Sequence, residues 1–463
     1  MIPRTIALLL LIGPMLVCAD VRAPRATDSE VRRLAVEAVT ASGESADRLV
    51  AQLRAMGQDV LPPLLAMRRE AMSGPPVGKT SANQVSQAAP PAPADLAKIE
   101  ALIDRVAGQR YAWASELFWY NDMDQARAAA AATGKPILSL RMLGNLTEEF
   151  SCANSRFFRT TLYANKEVSE MLRERFVLHW KSVRPVPRVT IDFGDGRKLE
   201  RTLTGNSAHY VLAADGRPLD VLAGLYGPRQ FLAWLNDVDQ LHTQLAELPA
   251  ANRPTLLRQF HATHADQIAR SWARDLRIVA AEWVRVNAST SKSQARSNTG
   301  YEAAQLSAPK FKVESPILRQ LADKPARMTQ LTTDDMWTKI AALPAHRAQI
   351  DMGTAAIIRR ENPDAFRAGA RAITKRAVED GLLQLVASLE RSIAADSVRN
   401  EYTLHREIHT WFAAGQVPGD VDALNERVYA ELFLTPSSDP WLGLAPNDVY
   451  TALGNGGVVR SSP

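Results

Sequence analysis

One cysteine occupies the position in this sequence that best suits covalent chemistry. Cys152 follows a predicted strand and a polar loop, and it stands where a helical run begins. The free amides and the dipole of a helix start favour a thiolate, and Arg156 and Arg159 add positive charge nearby. Cysteine is also one of the side chains most often buried as a small hydrophobe. A reactive thiol and an inert packing residue therefore both remain open.

Two histidine pairs have spacings that deserve attention as metal ligands. His405 and His409 stand four residues apart on a predicted helix, with Glu401 one turn earlier, and this spacing can bind a metal. The order His-Arg-Glu-Ile-His lacks the glutamate that directly follows the first histidine in the zincin pattern. His261 and His264 also lack a third ligand motif. We therefore predict solvated or core histidines, no bound metal and no cofactor.

The composition indicates a folded chain of two or three domains. The protein has 463 residues, of which 46% are hydrophobic and 23% are charged. Its 55 basic and 50 acidic residues give a net charge of +5, and the two signs are interspersed. Nucleic-acid binding requires a clustered basic face, so no nucleic-acid partner is predicted. No phosphate loop, dinucleotide glycine fingerprint or haem-attachment motif is present.

The first 19 residues have the pattern of a secretory signal peptide. Arg4 precedes a short apolar run at 6–16, and cleavage before Asp20 fits the small residues that precede it. Lipidation of Cys18 is not favoured, because Val17 is a poor residue before a lipidated cysteine. We therefore expect an exported protein, periplasmic or extracellular, without a transmembrane segment. Its mature chain would keep Cys152 as the only thiol and would contain no internal disulfide.

The rest of the chain divides by composition and periodicity. Residues 20–72 carry helical apolar stripes, including Leu49, Val50, Leu53 and Met56, and resemble one HEAT-type helical unit. Three further segments are predicted. Residues 73–94 form a disordered Pro/Ala/Ser-rich linker, and residues 95–240 form an α/β domain with an N-terminal helix. Residues 241–463 form an α-helical domain with a mobile loop near 287–300.

The central region, at about 111–240, resembles the thioredoxin-like fold family. The resemblance is carried by the order helix, strand, Cys152 at a helix start, strand, antiparallel strands and last helix, and by three segments: the Gly-Lys-Pro turn into a strand at 134–138, the Val…Leu…Phe-Val stretch at 168–177, and the hairpin start at 211–216. The fold that this implies is a central mixed sheet flanked by helices. A hairpin is also predicted around the Gly-Asp-Gly turn at 194–196.

Two departures from that family bear on activity. Its redox members use Cys-x-x-Cys, whereas this sequence has Cys152-Ala153-Asn154-Ser155, and no proline stands near Ser207, where the family has a cis-proline. The resemblance therefore implies a single-cysteine CxxS variant, in which Cys152 is the candidate nucleophile, Ser155 replaces the resolving cysteine and Arg156 stabilises the thiolate.

Two classes of function follow from these observations. The first is a monothiol redox or disulfide-exchange protein that acts through Cys152, with protein thiols or disulfides as partners. The second is a non-catalytic interaction or scaffold protein, which uses the thioredoxin-like domain as a platform and binds another exported protein.

Overall fold

The computed structural model describes the chain at residues 27–73, 93–202, 205–289, 334–362 and 375–442. The predicted signal peptide lies outside the described residues, as does nearly all of the predicted linker. Four helices make up the N-terminal part: α1 (Asp28–Thr40), α2 (Gly43–Ala55), α3 (Leu61–Ser73) and α4 (Pro93–Ala107).

These four helices share one hydrophobic core. Their apolar positions recur at helical spacing, so that each helix has one buried stripe. Helix α1 begins at Thr27, whose hydroxyl accepts a hydrogen bond from the Glu30 amide. Helix α4 contributes Leu102, Ile103 and Val106 to the same core. It therefore closes the apolar face of the N-terminal helices.

Seven strands lie within the described residues: β1 (Trp119–Tyr120), β2 (Ile137–Leu143), β3 (Val177–Arg184), β4 (Arg188–Asp192), β5 (Lys198–Thr202), β6 (Ser207–Leu212) and β7 (Pro218–Ala223). Five of them form a mixed sheet in the order β1-β3-β2-β6-β7, and β4 and β5 form a separate hairpin. Strands β1, β3 and β2 are parallel, whereas β6 pairs antiparallel with β2 and β7 antiparallel with β6.

Strand β2 is the centre of this sheet. All seven of its residues are buried, as expected for a strand covered by helices on both faces. Its first residue, Ile137, lies opposite Val177 of β3 and Leu212 of β6. The helices around the sheet are α5 (Ala112–Ser115), α6 (Met123–Thr133), α7 (Ala153–Phe157), α8 (Lys166–Arg175) and α9 (Pro228–Glu247).

The C-terminal part, from residue 253 onwards, consists mainly of helices within the described residues. Its helices are α10 (Arg253–Ser289), α11 (Asp334–Ala342), α12 (Met352–Glu361), α13 (Lys375–Asn400), α14 (Arg406–Ala413) and α15 (Val421–Arg427). Two π-helical turns, Glu401–His405 and Val428–Leu432, extend α13 and α15. Helix α10 continues through the first three residues of the predicted loop near 287–300, and the remainder of that loop lies outside the described residues.

The helical part packs directly on the sheet. Ile408, Trp411 and Phe412 of α14 share a core with Tyr210 of β6 and Val221 of β7. The prediction of a mixed sheet flanked by helices, followed by a mainly helical C-terminal part, is confirmed. Among the described residues, no helix combines the length and the apolar character that crossing a bilayer requires.

Candidate functional site

The loop after β2 brings Cys152 back to the end of that strand. The Cys152 amide donates to the carbonyl oxygen of Leu143, the last residue of β2, at 3.1 Å. The Cys152 carbonyl in turn accepts from the Arg156 amide at 3.2 Å. Cys152 is thereby the residue that caps the short helix α7, so its predicted place at a helix start is confirmed.

The thiol of Cys152 is completely buried. Its exposed fraction is 0%, and it belongs to the hydrophobic core between the sheet and α9. The Cys152 Sγ donates to Ser155 Oγ at 3.4 Å, and Ser155 Oγ lies 2.7 Å from Ser151 Oγ and 2.8 Å from the Cys152 carbonyl oxygen. Ser155, in the position of a resolving cysteine, therefore satisfies the thiol.

The two arginines of this region have different roles. Arg156 donates to Thr202 Oγ1 at 3.0 Å, and burial lowers its pKa, whereas negative charge on Cys152 would raise it. Arg159 is buried and donates to the carbonyl oxygens of Leu146 and Glu149, each at 3.2 Å. Burial lowers the pKa of Arg159 to about 10. Arg156 thus remains close enough to act on a thiolate, and Arg159 holds the loop.

The segment 428–442, which we call the C-terminal cover, lies over the end of β3 and the start of β6. The Tyr429 hydroxyl donates to the Asn206 carbonyl oxygen at 2.9 Å, and Asn206 Nδ2 donates to Thr435 Oγ1 at 2.8 Å. The Arg184 guanidinium donates to the Thr435 and Asp439 carbonyl oxygens, each at 2.9 Å. Burial raises the pKa of the Tyr429 hydroxyl, and charge on Cys152 adds to the rise. Tyr429 of the cover and Cys152 also belong to the same hydrophobic core.

A second group of polar side chains lies where β7 meets the C-terminal helices. It contains Asp220 of β7, His261 of α10, His405 of the π-helical turn and His409 of α14, and we call it the histidine cluster. All four side chains are buried. Single ligand atoms of Asp220, His261 and His409 lie within 4.8 Å of one another, and His405 Nε2 lies 3.9 Å from Asp220 Oδ2.

Hydrogen bonds around the histidine cluster fix most of its protons. His261 Nε2 donates to the Leu219 carbonyl oxygen at 2.9 Å, and His261 Nδ1 lies 2.7 Å from His409 Nδ1. His405 Nδ1 donates to Glu401 Oε2 at 3.0 Å. Asp220 Oδ2 accepts from Trp234 Nε1 at 2.9 Å. Neither His405 Nε2 nor His409 Nε2 has a hydrogen-bond partner among the described residues.

The electrostatic environment separates the members of the cluster. Burial alone would raise the pKa of Asp220, but His409 and the other imidazoles hold it below its usual range. Burial opposes the charge of His405, yet Glu401 and Asp220 raise its pKa to about 10. Burial lowers the pKa of His261 to about 4, and burial together with His405 lowers that of His409. The cluster thus combines the Asp220 carboxylate with one protonated and two neutral imidazoles, and the Glu401 carboxylate borders it.

A cavity of about 540 Å³ borders the cluster. Asp220, His405 and His409 line its inner wall, and the exposed residues Leu343 and His346 stand at its rim. The wall also includes polar side chains of α9, α10 and the π-helical turn: Gln230, Asp237, Gln267, Arg274, Asp275 and Glu401. The cluster is therefore close to a space that a small polar ligand or an ion can enter.

The sequence identified three members of this cluster but not their association. The His405/His409 spacing and Glu401 lie on one helix face, as predicted, and His261 reaches them from α10. Asp220 was missed. The available signal was a carboxylate inside an otherwise apolar predicted strand, since such a residue is rarely buried without a partner. The prediction of no metal stays a prediction, and this geometry gives a reason to test it.

No family model, curated protein or solved structure matches this chain. Its function therefore has to be inferred from its own residues and their geometry.

Proposed function

We propose that residues 95–240 form a thioredoxin-like domain that acts as a non-catalytic platform, and that Cys152 is a packing residue within it. The order of elements supports this fold: α6, strand β2, Cys152 at the start of α7, strand β3, the antiparallel pair β6–β7 and the last helix α9. This is the order in which the sequence resembles that family.

The complete burial of Cys152 is the observation that carries the proposal. A thiol that exchanges disulfides must bring its sulfur into line with a client disulfide, so reactive cysteines are partially exposed. Cys152 instead donates a hydrogen bond to Ser155 Oγ within the core. Such a buried thiol has no access to a protein substrate.

The platform has a partner within the chain. Tyr429 and Thr435 of the C-terminal cover bind Asn206, just before β6. Trp411 and Phe412 of α14 pack on β6 and β7. A domain whose sheet is covered by the C-terminal helices of the same chain acts by holding those helices in position. In this interpretation, the functional sites of the protein are those that the sheet and the helices form together.

Thiol labelling tests this proposal. Full-length protein with Cys18→Ser has Cys152 as its only thiol, so iodoacetamide uptake followed by mass spectrometry reports on Cys152 alone. We expect native labelling about a hundredfold slower than labelling in urea, because it requires local opening. A Cys18→Ser/Cys152→Ser/Ser45→Cys variant, with its thiol at an exposed position of α2, is the matched control and should label quickly under both conditions. Labelling of Cys152 at the control rate would contradict the packing role.

Monothiol exchange is the second candidate, and the position of Arg156 favours it. A thiolate at Cys152 would interact with that guanidinium, and Ser155 could not resolve a mixed disulfide. Exchange would then require the C-terminal cover to move. Arg184→Ala removes three carbonyl contacts of the cover, with Thr435, Pro436 and Asp439. This candidate therefore predicts faster labelling and a long-lived mixed disulfide with a small aromatic disulfide probe, in a variant that stays folded. The platform proposal predicts no adduct.

Export is part of the same proposal. It is supported by the pattern of the first 19 residues. Mass spectrometry of protein from its native host should find an N-terminus at or near Asp20. An intact Met1 would remove this element without affecting the platform argument.

A further inference from the structure

We propose that Asp220, His261, His405 and His409 bind one divalent transition-metal ion, for which zinc is the simplest fit, at the junction of β7 with the C-terminal helices. The proposal does not depend on the role of Cys152. It rests on four buried side chains from three separate parts of the chain: ligand atoms of Asp220, His261 and His409 lie within 4.8 Å of one another, and His405 lies beside them at the cavity.

The hydrogen bonds of the two neutral imidazoles, His261 and His409, determine where their lone pairs lie. His261 donates from Nε2 to a carbonyl oxygen, so its Nδ1 keeps a lone pair. This Nδ1 accepts a hydrogen bond from the Nδ1–H group of His409. The lone pair of His409 is consequently on its Nε2. His405 donates from Nδ1 to Glu401, and its Nε2 carries a proton 3.9 Å from Asp220 Oδ2, so a metal ion would bind this nitrogen by displacing that proton.

This arrangement is typical of histidines that bind metals. A ligating histidine usually donates its other ring N–H to a carboxylate or a backbone carbonyl, which fixes the tautomer and the ring orientation. Glu401 serves His405 in this way, and the Leu219 carbonyl serves His261. Trp234 Nε1 holds the Asp220 carboxylate. Each of these three donors therefore has a partner that orients it.

Two nitrogen atoms of the cluster are buried without a hydrogen bond to the described residues, although His405 Nε2 lies within ion-pair distance of Asp220 Oδ2, at 3.9 Å. His405 Nε2 and His409 Nε2 are buried and have no hydrogen-bond partner among the described residues. Buried polar atoms normally have a partner, and an orphan atom of this kind calls for a water or an ion. Both side chains border the cavity, so an ion can reach them.

The distances need only a small adjustment. Zinc binds imidazole nitrogen and carboxylate oxygen at about 2.0–2.2 Å, which places neighbouring ligand atoms about 3.3–3.6 Å apart in a tetrahedron. The atoms of Asp220, His261 and His409 lie within 4.8 Å of one another, and His405 Nε2 is 3.9 Å from Asp220 Oδ2. Rotations of side chains would close this set around an ion that replaces the proton between His261 Nδ1 and His409 Nδ1, in which case His409 binds through Nδ1 and that proton moves to its Nε2.

The donor set also indicates the class of metal. Imidazole ligands suit zinc, copper, iron and nickel, whereas magnesium and calcium prefer oxygen ligands. The cluster contains no thiolate, because the described cysteine, Cys152, lies at the start of α7, where its thiol is hydrogen-bonded to Ser155. The carboxylates of Asp220 and Glu401 supply negative charge that a divalent ion would neutralise.

Zinc binding to the full-length chain tests the proposal. Protein stripped with a chelator is dialysed against zinc chloride and analysed by elemental mass spectrometry, and we expect one zinc per chain. Asp220→Asn and His409→Gln should each abolish stoichiometric binding. Glu401→Gln, which keeps a hydrogen-bond acceptor but loses the charge, should weaken binding about tenfold. His346→Gln removes an exposed histidine at the rim of the same cavity, and this control should bind zinc like the unaltered protein.

X-ray absorption at the zinc edge of the unaltered protein provides a test without variants. We expect nitrogen and oxygen neighbours with the scattering pattern of several imidazoles and no sulfur. This spectrum decides the question if the buried variants fail to fold by circular dichroism. Less than stoichiometric binding, equal binding in the variants and the unaltered chain, or a sulfur neighbour would overturn the proposal.

Discussion

Cys152 and the histidine cluster are both buried, but they differ in how their polar atoms are satisfied. The thiol of Cys152 donates to Ser155, which in turn contacts Ser151. The cluster leaves His405 Nε2 and His409 Nε2 without hydrogen-bond partners among the described residues. Burial alone thus does not separate a structural group from a functional one.

Their surroundings differ in the same direction. Cys152 lies among apolar side chains of the sheet and α9, and the C-terminal cover lies over the neighbouring edge. The histidine cluster borders a cavity of about 540 Å³ with acidic groups along its wall. A site whose polar atoms lack hydrogen bonds and that has a route to solvent can take up a ligand. A group whose hydrogen bonds are complete within a packed core stabilises the fold instead.

The largest expected effect comes from breaking the charge balance of the cluster. Asp220→Leu leaves the His405 cation and the Trp234 N–H without their buried partner, and it should cost about 3–5 kcal/mol in the free energy of unfolding of the metal-free protein. Urea unfolding followed by circular dichroism measures this. Asp215→Asn, in an exposed turn, is the matched control and should change stability by less than about 0.5 kcal/mol. A small loss in Asp220→Leu would mean that the cluster is not a tightly coupled unit.

A buried histidine on the side of the sheet near Cys152 makes a contribution of its own to acid stability. His209 is buried against Phe158 and Phe231, and burial lowers its pKa to about 3. A folded pKa below the unfolded value of about 6.5 gives stability that is complete above pH 6.5 and is lost as the pH falls towards 3.

His209→Gln should remove this contribution. The slope of stability against pH between 6.5 and 3 should fall by about 1 kcal/mol per pH unit, while an acceptor for the Tyr163 hydroxyl is kept. Urea midpoints at several pH values give the result. Parallel curves for the variant and the unaltered protein would show that His209 is not held neutral by burial.

The smallest expected effect concerns the C-terminal cover. Tyr429→Phe removes the hydrogen bond to the Asn206 carbonyl and should cost about 1 kcal/mol. If Cys152 is a packing residue, its native labelling should rise only in proportion to this loss of stability. A much larger rise, without unfolding, would show that the cover gates a reactive thiol, and the comparison between the two regions would weaken.

Local patterns predicted most of the elements but not their assembly. The caps Asp122 and Gly134 mark the two ends of α6, and an apolar run predicts β2, so these elements could be placed from sequence. Strand β1 was missed because two residues, Trp119 and Tyr120, show no periodicity.

The sites depended on contacts between distant parts of the chain. Asp220 and His409 come together only because α14 packs on the sheet, and Cys152 shares a core with Tyr429 from the far end of the described chain. Spacing along one helix revealed His405 and His409 but could not supply Asp220. Burial of the thiol likewise could not be read from a helix start.

Zinc content in two matched variants tests most directly the claim that the open site is the histidine cluster rather than the thiol. In a Cys18→Ser background, Cys152→Ala and His409→Gln are loaded with zinc, dialysed and analysed together. We predict that Cys152→Ala retains one zinc per chain and that His409→Gln retains none. Loss of zinc from Cys152→Ala with retention in His409→Gln would contradict the account.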